Sequence, residues 1–238
     1  MEWFTSNGLQ VMGAPAGQTR WTLMPQQESN MDAIRSFADI SIESNSDGLL
    51  LTLWDDDSPH FELYKRGIAA FAEYTWKGVK RDKAAIKSDY RHRAFSSTLA
   101  DTSFAFIDEL EQPVAYWKNA FLQGNQRNFL QSMNDPISEA LMELPNENQP
   151  GEWTEKYADR LATTAEIAAI CGEVTQKITQ AKAQAIRNTY RLEVYEQVNQ
   201  MTAFTAKVLL TLQEYDNATT EVQRSALQQR IQQLPDEF

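Results

Sequence analysis

The chain has few of the residues that build covalent or metal-held scaffolds. Among 238 residues there is one cysteine, Cys171, and there are two histidines, His60 and His92. A single thiol excludes an intramolecular disulfide and a cysteine-based zinc cluster, and two imidazoles are too few for a histidine-rich metal centre. No cofactor-binding signature stands out either. No apolar run reaches the roughly 18 residues of a transmembrane helix, and the opening Met1-Glu2-Trp3-Phe4 lacks the basic region of a signal peptide. The reading is a soluble chain; if the natural protein is exported, its signal lies outside this chain. Basic residues are also short, with 22 Lys and Arg against 33 Asp and Glu and a net charge of -11. The acidity is spread along the chain, which argues against nucleic acid and an anionic membrane surface as partners.

Glycine and proline are unevenly placed. Gly8, Gly13, Gly17, Gly48, Gly67 and Gly78 precede residue 80, whereas Gly172 is the only glycine after Gly151 and no proline lies between Pro150 and Pro235. The second half therefore reads as long helices and the first as strands, turns and shorter helices. The fold class expected is mainly α, with an incomplete β/α amino-terminal part over 1–80. A helical domain follows over 81–238, with long antiparallel helices from about 152.

In the first part, residues 8–12 read as a strand and 13–17 as the loop after it. Asn30 stands where a helix cap is expected, before Met31, Ile34, Phe37, Ala38 and Ile40. Gly48-Leu49-Leu50-Leu51-Thr52-Leu53-Trp54 is nearly continuous in apolar residues, as in a parallel strand covered on both faces. Residues 61–76 follow as a helix. Ala84, Ile86, Tyr90 and Phe95 mark another short helix. Asp101 caps one reaching Phe121, within which Pro113 demands a kink or break. Asp135-Pro136 opens a helix through Leu144, and 143–151 is a polar loop.

Two stripes dominate the remainder, Tyr157 to Ala185 and Val194 to Tyr215. Helices of such length are stable only with those stripes buried, so an antiparallel pair turning near Asn188 is expected. Val222, Ala226, Ile231 and Leu234 would close a third helix. One bent helix through Asn188, or a coiled-coil homodimer using the same stripes, is open on the pattern alone.

Chemistry concentrates at Trp54, Asp55, Asp56, Asp57, Ser58, Pro59 and His60, at the carboxyl end of the second strand. α/β folds place ligands there, and an aromatic face can stack on a sugar ring while a carboxylate accepts from its hydroxyls. The plainer reading makes the aspartates turn and cap residues and Trp54 a core residue. The basic run Lys77, Lys80, Arg81, Lys83, Lys87, Arg91, His92 and Arg93 has acids interspersed and reads as a solvated helical face. Neither His92 nor Cys171 sits in a nucleophile motif.

Residues 48–76, GLLLTLWDDDSPHFELYKRGIAAFAEYTW, resemble the last strand and helix of the barrel of family 20 glycoside hydrolases, the beta-N-acetylhexosaminidases. Leu53, Trp54 and Asp56 match that family's Leu-Trp-x-Glu, with aspartate in place of glutamate, and Ala72, Glu73 and Trp76 match its Ala-Glu-x-x-Trp-like segment. The resemblance covers about residues 8–78. It implies a barrel-derived amino-terminal part, Trp54 as a wall of an N-acetylated sugar pocket and Asp56 as acceptor for distal hydroxyls. The family's general-acid Asp-Glu pair has no counterpart before Gly8, so no catalytic residue is carried over, and hydrolysis needs carboxylates flanking the scissile bond.

The expectation is the carboxyl-terminal piece of a glycosidase-like hydrolase of carbohydrate metabolism, inactive alone, with an N-acetylated sugar or glycan as ligand of the longer protein. The alternative is a non-catalytic helical protein-interaction module. Strands severed from a barrel expose apolar faces, which predicts a homodimer through the amino-terminal parts or a poorly ordered start.

Overall fold

A computed structural model describes residues 1–19, 22–54, 60–77, 81–96, 98, 101–123 and 141–237. The chain is mainly helical and divides into two compact units, Met1–Glu111 with Gln176–Val198, and Gln112–Thr175 with Asn199–Phe238.

The first unit begins with α1 (Glu2–Ser6), β1 (Met12–Gly13), β2 (Ala16–Gln18), α2 (Gln27–Glu43), β3 (Gly48–Leu49) and β4 (Thr52–Trp54). β1 pairs with β3 and β2 with β4, both in parallel, with Met12 opposite Gly48 and Gln18 opposite Trp54. Between the two pairs, Leu50 N–H donates to the Gly13 carbonyl at 2.9 Å and Thr52 N–H to the Pro15 carbonyl at 3.0 Å. The four segments are thus two strands of one ladder, interrupted where Pro15 has no N–H to give.

The first strand therefore lies later than expected: residues 8–11 precede it, and the stretch 13–17 read as a loop is part of it. Its glycines serve close approach. A Cβ at Gly13 would stand 2.7 Å from Leu49 Cδ2, and one at Gly17 would stand 3.1 Å from Leu53 Cδ2. The face bearing Leu49 and Leu51 packs, with Phe71, on Met31, Ile34, Ala38, Ala70, Tyr74 and Ile86. On the other face, among the described residues, Met12 is 60%, Leu50 57% and Trp54 54% exposed. The expectation of a strand covered on both faces, and the plainer reading of Trp54 as a core residue, are corrected accordingly: among the described residues, helices pack on one side only.

α2 starts three residues before Asn30, which is buried inside it. Asn30 is not a cap; its Nδ2 donates to the Gln18 carbonyl at 3.0 Å and so ties the helix to the strand. The Glu111 carboxylate accepts from Glu28 N–H at 2.6 Å, supplying the helix start with a partner from far along the chain. A 3₁₀ turn (Phe61–Tyr64) leads into α3 (Lys65–Lys77), followed by α4 (Lys83–Phe95).

The helix expected from Asp101 to Phe121 is three pieces: a 3₁₀ turn (Asp101–Phe104), α5 (Phe106–Glu109) and α6 (Glu111–Trp117). Pro113 sits in the first turn of α6, where its missing donor has no intrahelical acceptor to leave empty. The break falls just before it.

After residue 150 come α7 (Glu152–Lys156), α8 (Ala158–Gln184), α9 (Thr189–Asp216) and α10 (Glu221–Gln233). α8 and α9 are separate helices, and Asn188 takes a left-handed conformation at φ 54° in the link. In the first unit, Ile186 N–H donates to the Phe95 carbonyl and Lys182 pairs with Glu196. In the second, Leu161 packs with Trp153, Tyr157 and Leu209, and Cys171 with Ile167 and Ala206.

Asn199 Nδ2 donates there to the Cys171 carbonyl at 3.0 Å and Thr175 Oγ1 at 2.8 Å. α10 departs from expectation: none of its residues is buried, and Val222 is 81% exposed. Its start is held by a capping box between Thr220 and Gln223, and Leu234 is buried just beyond it. The helix expected from Asp135 through Leu144 lies outside the described residues up to 140, and over 141–144 the chain is not helical, with Leu141 bridged to Leu122 instead.

Candidate functional site

Trp54 closes β4 at its carboxyl end, and its ring is held from beneath. The indole Nε1–H donates to Thr52 Oγ1 at 3.1 Å, and that hydroxyl in turn donates to the Pro15 carbonyl at 3.2 Å. Tyr64 OH donates to the Trp54 carbonyl at 2.7 Å, which anchors the backbone where the strand stops. With Nε1 already engaged, the exposed part of Trp54 offers its aromatic surface, an arrangement suited to stacking.

Asp55, Asp56, Asp57, Ser58 and Pro59 lie outside the described residues, so Asp56 has no geometry to set beside Trp54. His60 caps the following 3₁₀ turn, its Nδ1 accepting from Glu62 N–H at 3.2 Å while its Nε2 meets Tyr190 OH at 2.9 Å. Next to it, Arg191 Nε donates to Glu62 and Nη1 to Tyr90 OH.

Lys80 and the Lys77 side chain lie outside what the structure describes; from Arg81 to Arg93 the basic run is an ion-pair network more than a solvated face. Arg81 bridges Glu73 and Asp89, Lys83 meets Glu28 and Asp32, and Arg93 meets Glu73 and Asp89. Lys87 joins Glu28 to Asp108, and Arg91, buried, pairs with Asp101. At its centre Arg66, with only 3% of its side chain exposed, binds Asp108 and Gln27 Oε1. Burial works to raise the Asp108 pKa, but the Arg66 charge and hydrogen bond, with Lys87, hold it below the ordinary carboxylate range. Burial dominates at Glu111 and raises it. The Arg81 hydrogen bond chiefly lowers both Glu73 and Asp89.

Cys171 is buried, and desolvation pushes its thiol up to about 11, which keeps it protonated at neutral pH and a poor nucleophile. Among the described residues, no group of three or more His, Cys, Asp or Glu is placed to hold a metal ion.

Thr52 and Tyr64 escaped the sequence reading, although both position Trp54. The signal for Thr52 was its place two residues before Trp54, on the same strand face; Tyr64, ten residues on, needed the path of the intervening chain.

No family model, curated protein or solved structure matches the chain. What the chain does therefore rests on its own geometry.

Proposed function

We propose that residues 8–78 are the final strand–helix units of a barrel-derived, glycosidase-like protein similar to the beta-N-acetylhexosaminidases, in which Trp54 forms a sugar-stacking wall and Asp56 accepts from sugar hydroxyls. The observation carrying this reading is the Trp54 ring. Thr52 holds its Nε1 and Tyr64 anchors the Trp54 carbonyl at the carboxyl end of a parallel strand, with the aromatic surface exposed. The strand–helix–strand–helix order and the parallel register support it. The long helices then serve as an antiparallel helical appendage.

Support for an appendage over a free-standing interaction module comes from the first unit, where Tyr190 and Arg191 at the start of α9 bind His60 and Glu62. The large apolar side chains exposed in this part of the first unit, Ile186 and Tyr190, sit at the helix link.

The test compares the isolated chain with the longer protein on an aryl N-acetyl-beta-glucosaminide. The isolated chain is expected to show no turnover, because its transferable residues are wall residues and the proton donor is missing. In the longer protein, Trp54→Ala should raise KM about tenfold, equal to the upper range of an aromatic contact, and Asp56→Asn should weaken sugar recognition without unfolding the chain. Robust turnover by the isolated chain, or unchanged kinetics in both folded variants, overturns the reading.

A further inference from the structure

The first unit holds a cleft to which neither the strand ladder nor Trp54 contributes. α4 presents Ala84, Lys87, Ser88 and Arg91 on one face, at the three- and four-residue spacing of a helix, and the 3₁₀ turn Asp101–Phe104 and α5 form the opposite side. Ala84, Ser88 and Ala105 are too small to fill the gap. It keeps a volume of about 180 Å³, with Phe104 and Ile107 as an apolar wall and Arg66 of α3 in its lining. That is below the ~300 Å³ at which pockets for drug-sized molecules begin, so an occupant is small.

The cations of this cleft are set apart by their burial. Arg66 has 3% of its side chain exposed and Arg91 8%. Arg66 gives its Nε–H to Gln27 Oε1 and an Nη2–H to Asp108, and among the described residues its Nη1 meets no acceptor. Donors in so buried a side chain call for one. Asp108 already serves two cations, since its second oxygen takes Lys87, which Glu28 of α2 shares. The carboxylate on Arg91 is Asp101, whose side chain is 59% exposed and can turn into water at small cost.

We infer that this cleft binds a small organic carboxylate. Nη1 of Arg66 supplies donors with no acceptor of their own, and Arg91 receives the ligand as Asp101 turns outward. One carboxylate then replaces another, so the buried Arg91 is not left without a partner. Two features favour a carboxylate over a phosphate: Asp108 stays in the cleft, where a second negative charge on the ligand would be repelled, and the wall of Phe104 and Ile107 suits an apolar body that inorganic phosphate lacks. A chain of net charge -11 does not gather anions over its general surface, so saturable binding of one reports on a particular place. The inference does not rest on the carbohydrate reading, which is tested on the longer protein by kinetics.

Calorimetric titration of the 238-residue chain at fixed ionic strength tests it, with sodium benzoate as the carboxylate, benzamide as the uncharged molecule of the same shape, and inorganic phosphate as the other anion. Benzoate should bind one site with a dissociation constant of about 1 mM or below, reasonable for so small a ligand, and benzamide and phosphate should each bind at least tenfold more weakly. Ala105→Leu and Ser88→Leu fill the cleft from opposite sides without touching its charges, and each should weaken benzoate at least tenfold. Arg66→Lys keeps the charge but loses the fork and should weaken it as much. Asp101→Asn removes the competing carboxylate and should tighten benzoate about threefold, a gain that a purely structural ion pair would not give. Val222→Asp, in α10, should change nothing. Circular dichroism matching wild type shows that each variant folds. No saturable benzoate binding by wild type at about 10 mM, equal binding of benzamide, tighter binding of phosphate, or benzoate affinity unchanged in both folded leucine variants would each overturn the inference.

Discussion

The two compact units bury their interiors by different means. In the first, short elements distant in sequence are cross-linked by charge: Arg66 and Lys87 converge on Asp108, and Glu111 reaches the start of α2. In the second, the long helices supply apolar residues at regular intervals, with Leu161, Ile167, Cys171, Ala206 and Leu209 buried and Asn199 adding neutral hydrogen bonds. Short helices and three-residue strands repay little of their ordering cost locally, so they depend on distant partners. A helix of 27 or 28 residues carries its own ladder and needs only its stripe covered.

The largest expected effect tests the charged side of that contrast. Asp108→Ala leaves the buried Arg66 guanidinium with Gln27 in place of a carboxylate and should cost about 4 kcal/mol, as for other broken buried pairs. Urea unfolding with hydrogen exchange should place the loss in the first unit. Because Asp108 is held below its ordinary value when folded, its contribution is complete above pH ~4, the unfolded carboxylate value, and fades as pH falls through the folded one. Asp108→Asn should therefore flatten the acid side of the stability profile. A variant that keeps the wild-type acid slope would show that Asp108 is not what the first unit loses in acid.

Next in size, Leu161→Ala should cost about 3 kcal/mol through lost transfer energy and a cavity beside Trp153 and Leu209. Its effect should be the same at pH 4 and pH 7, since no ionisable group changes its surroundings. If the loss varied with pH, the two units would be less distinct in kind than described.

Asn188→Ala should be the smallest, about 1 kcal/mol in all, from the lost bond between Nδ2 and the Ala94 carbonyl together with the tolerance of the left-handed region that Asn has and Ala lacks. Asn188→Gly, which accepts positive φ, should recover part of that loss. Thermal melts of the pair separate backbone conformation from the side-chain bond: equal melting temperatures would assign the whole effect to the bond.

The same contrast governs how much could be read in advance. The stripes from Tyr157 and Val194 located α8 and α9 and the interruption at Asn188, and Ile86 and Tyr90 located α4, because in each the pattern repeats over several turns. The segment 13–17 misled because glycine and proline punctuate turns far more often than they admit a neighbouring Leu49 or Leu53. Pro113 was rightly expected beside a break, yet the number of pieces from Asp101 to Trp117 was not legible. Trp54 stood out as the end of an apolar run, whereas the Thr52 and Tyr64 contacts that aim it did not.

By itself the sequence determined the helical second half, the strand ending at Trp54, the dispersed negative charge and the buried stripes, since each is a local pattern or a sum over residues. Only the tertiary structure decided that cations of the basic run would find carboxylates and that Arg66 would be buried. Pairing the strands in parallel, with helices on one side alone, was also settled there. Those outcomes depend on which groups far apart in the chain meet, and the free energy of a charge or an apolar side chain is set by what surrounds it.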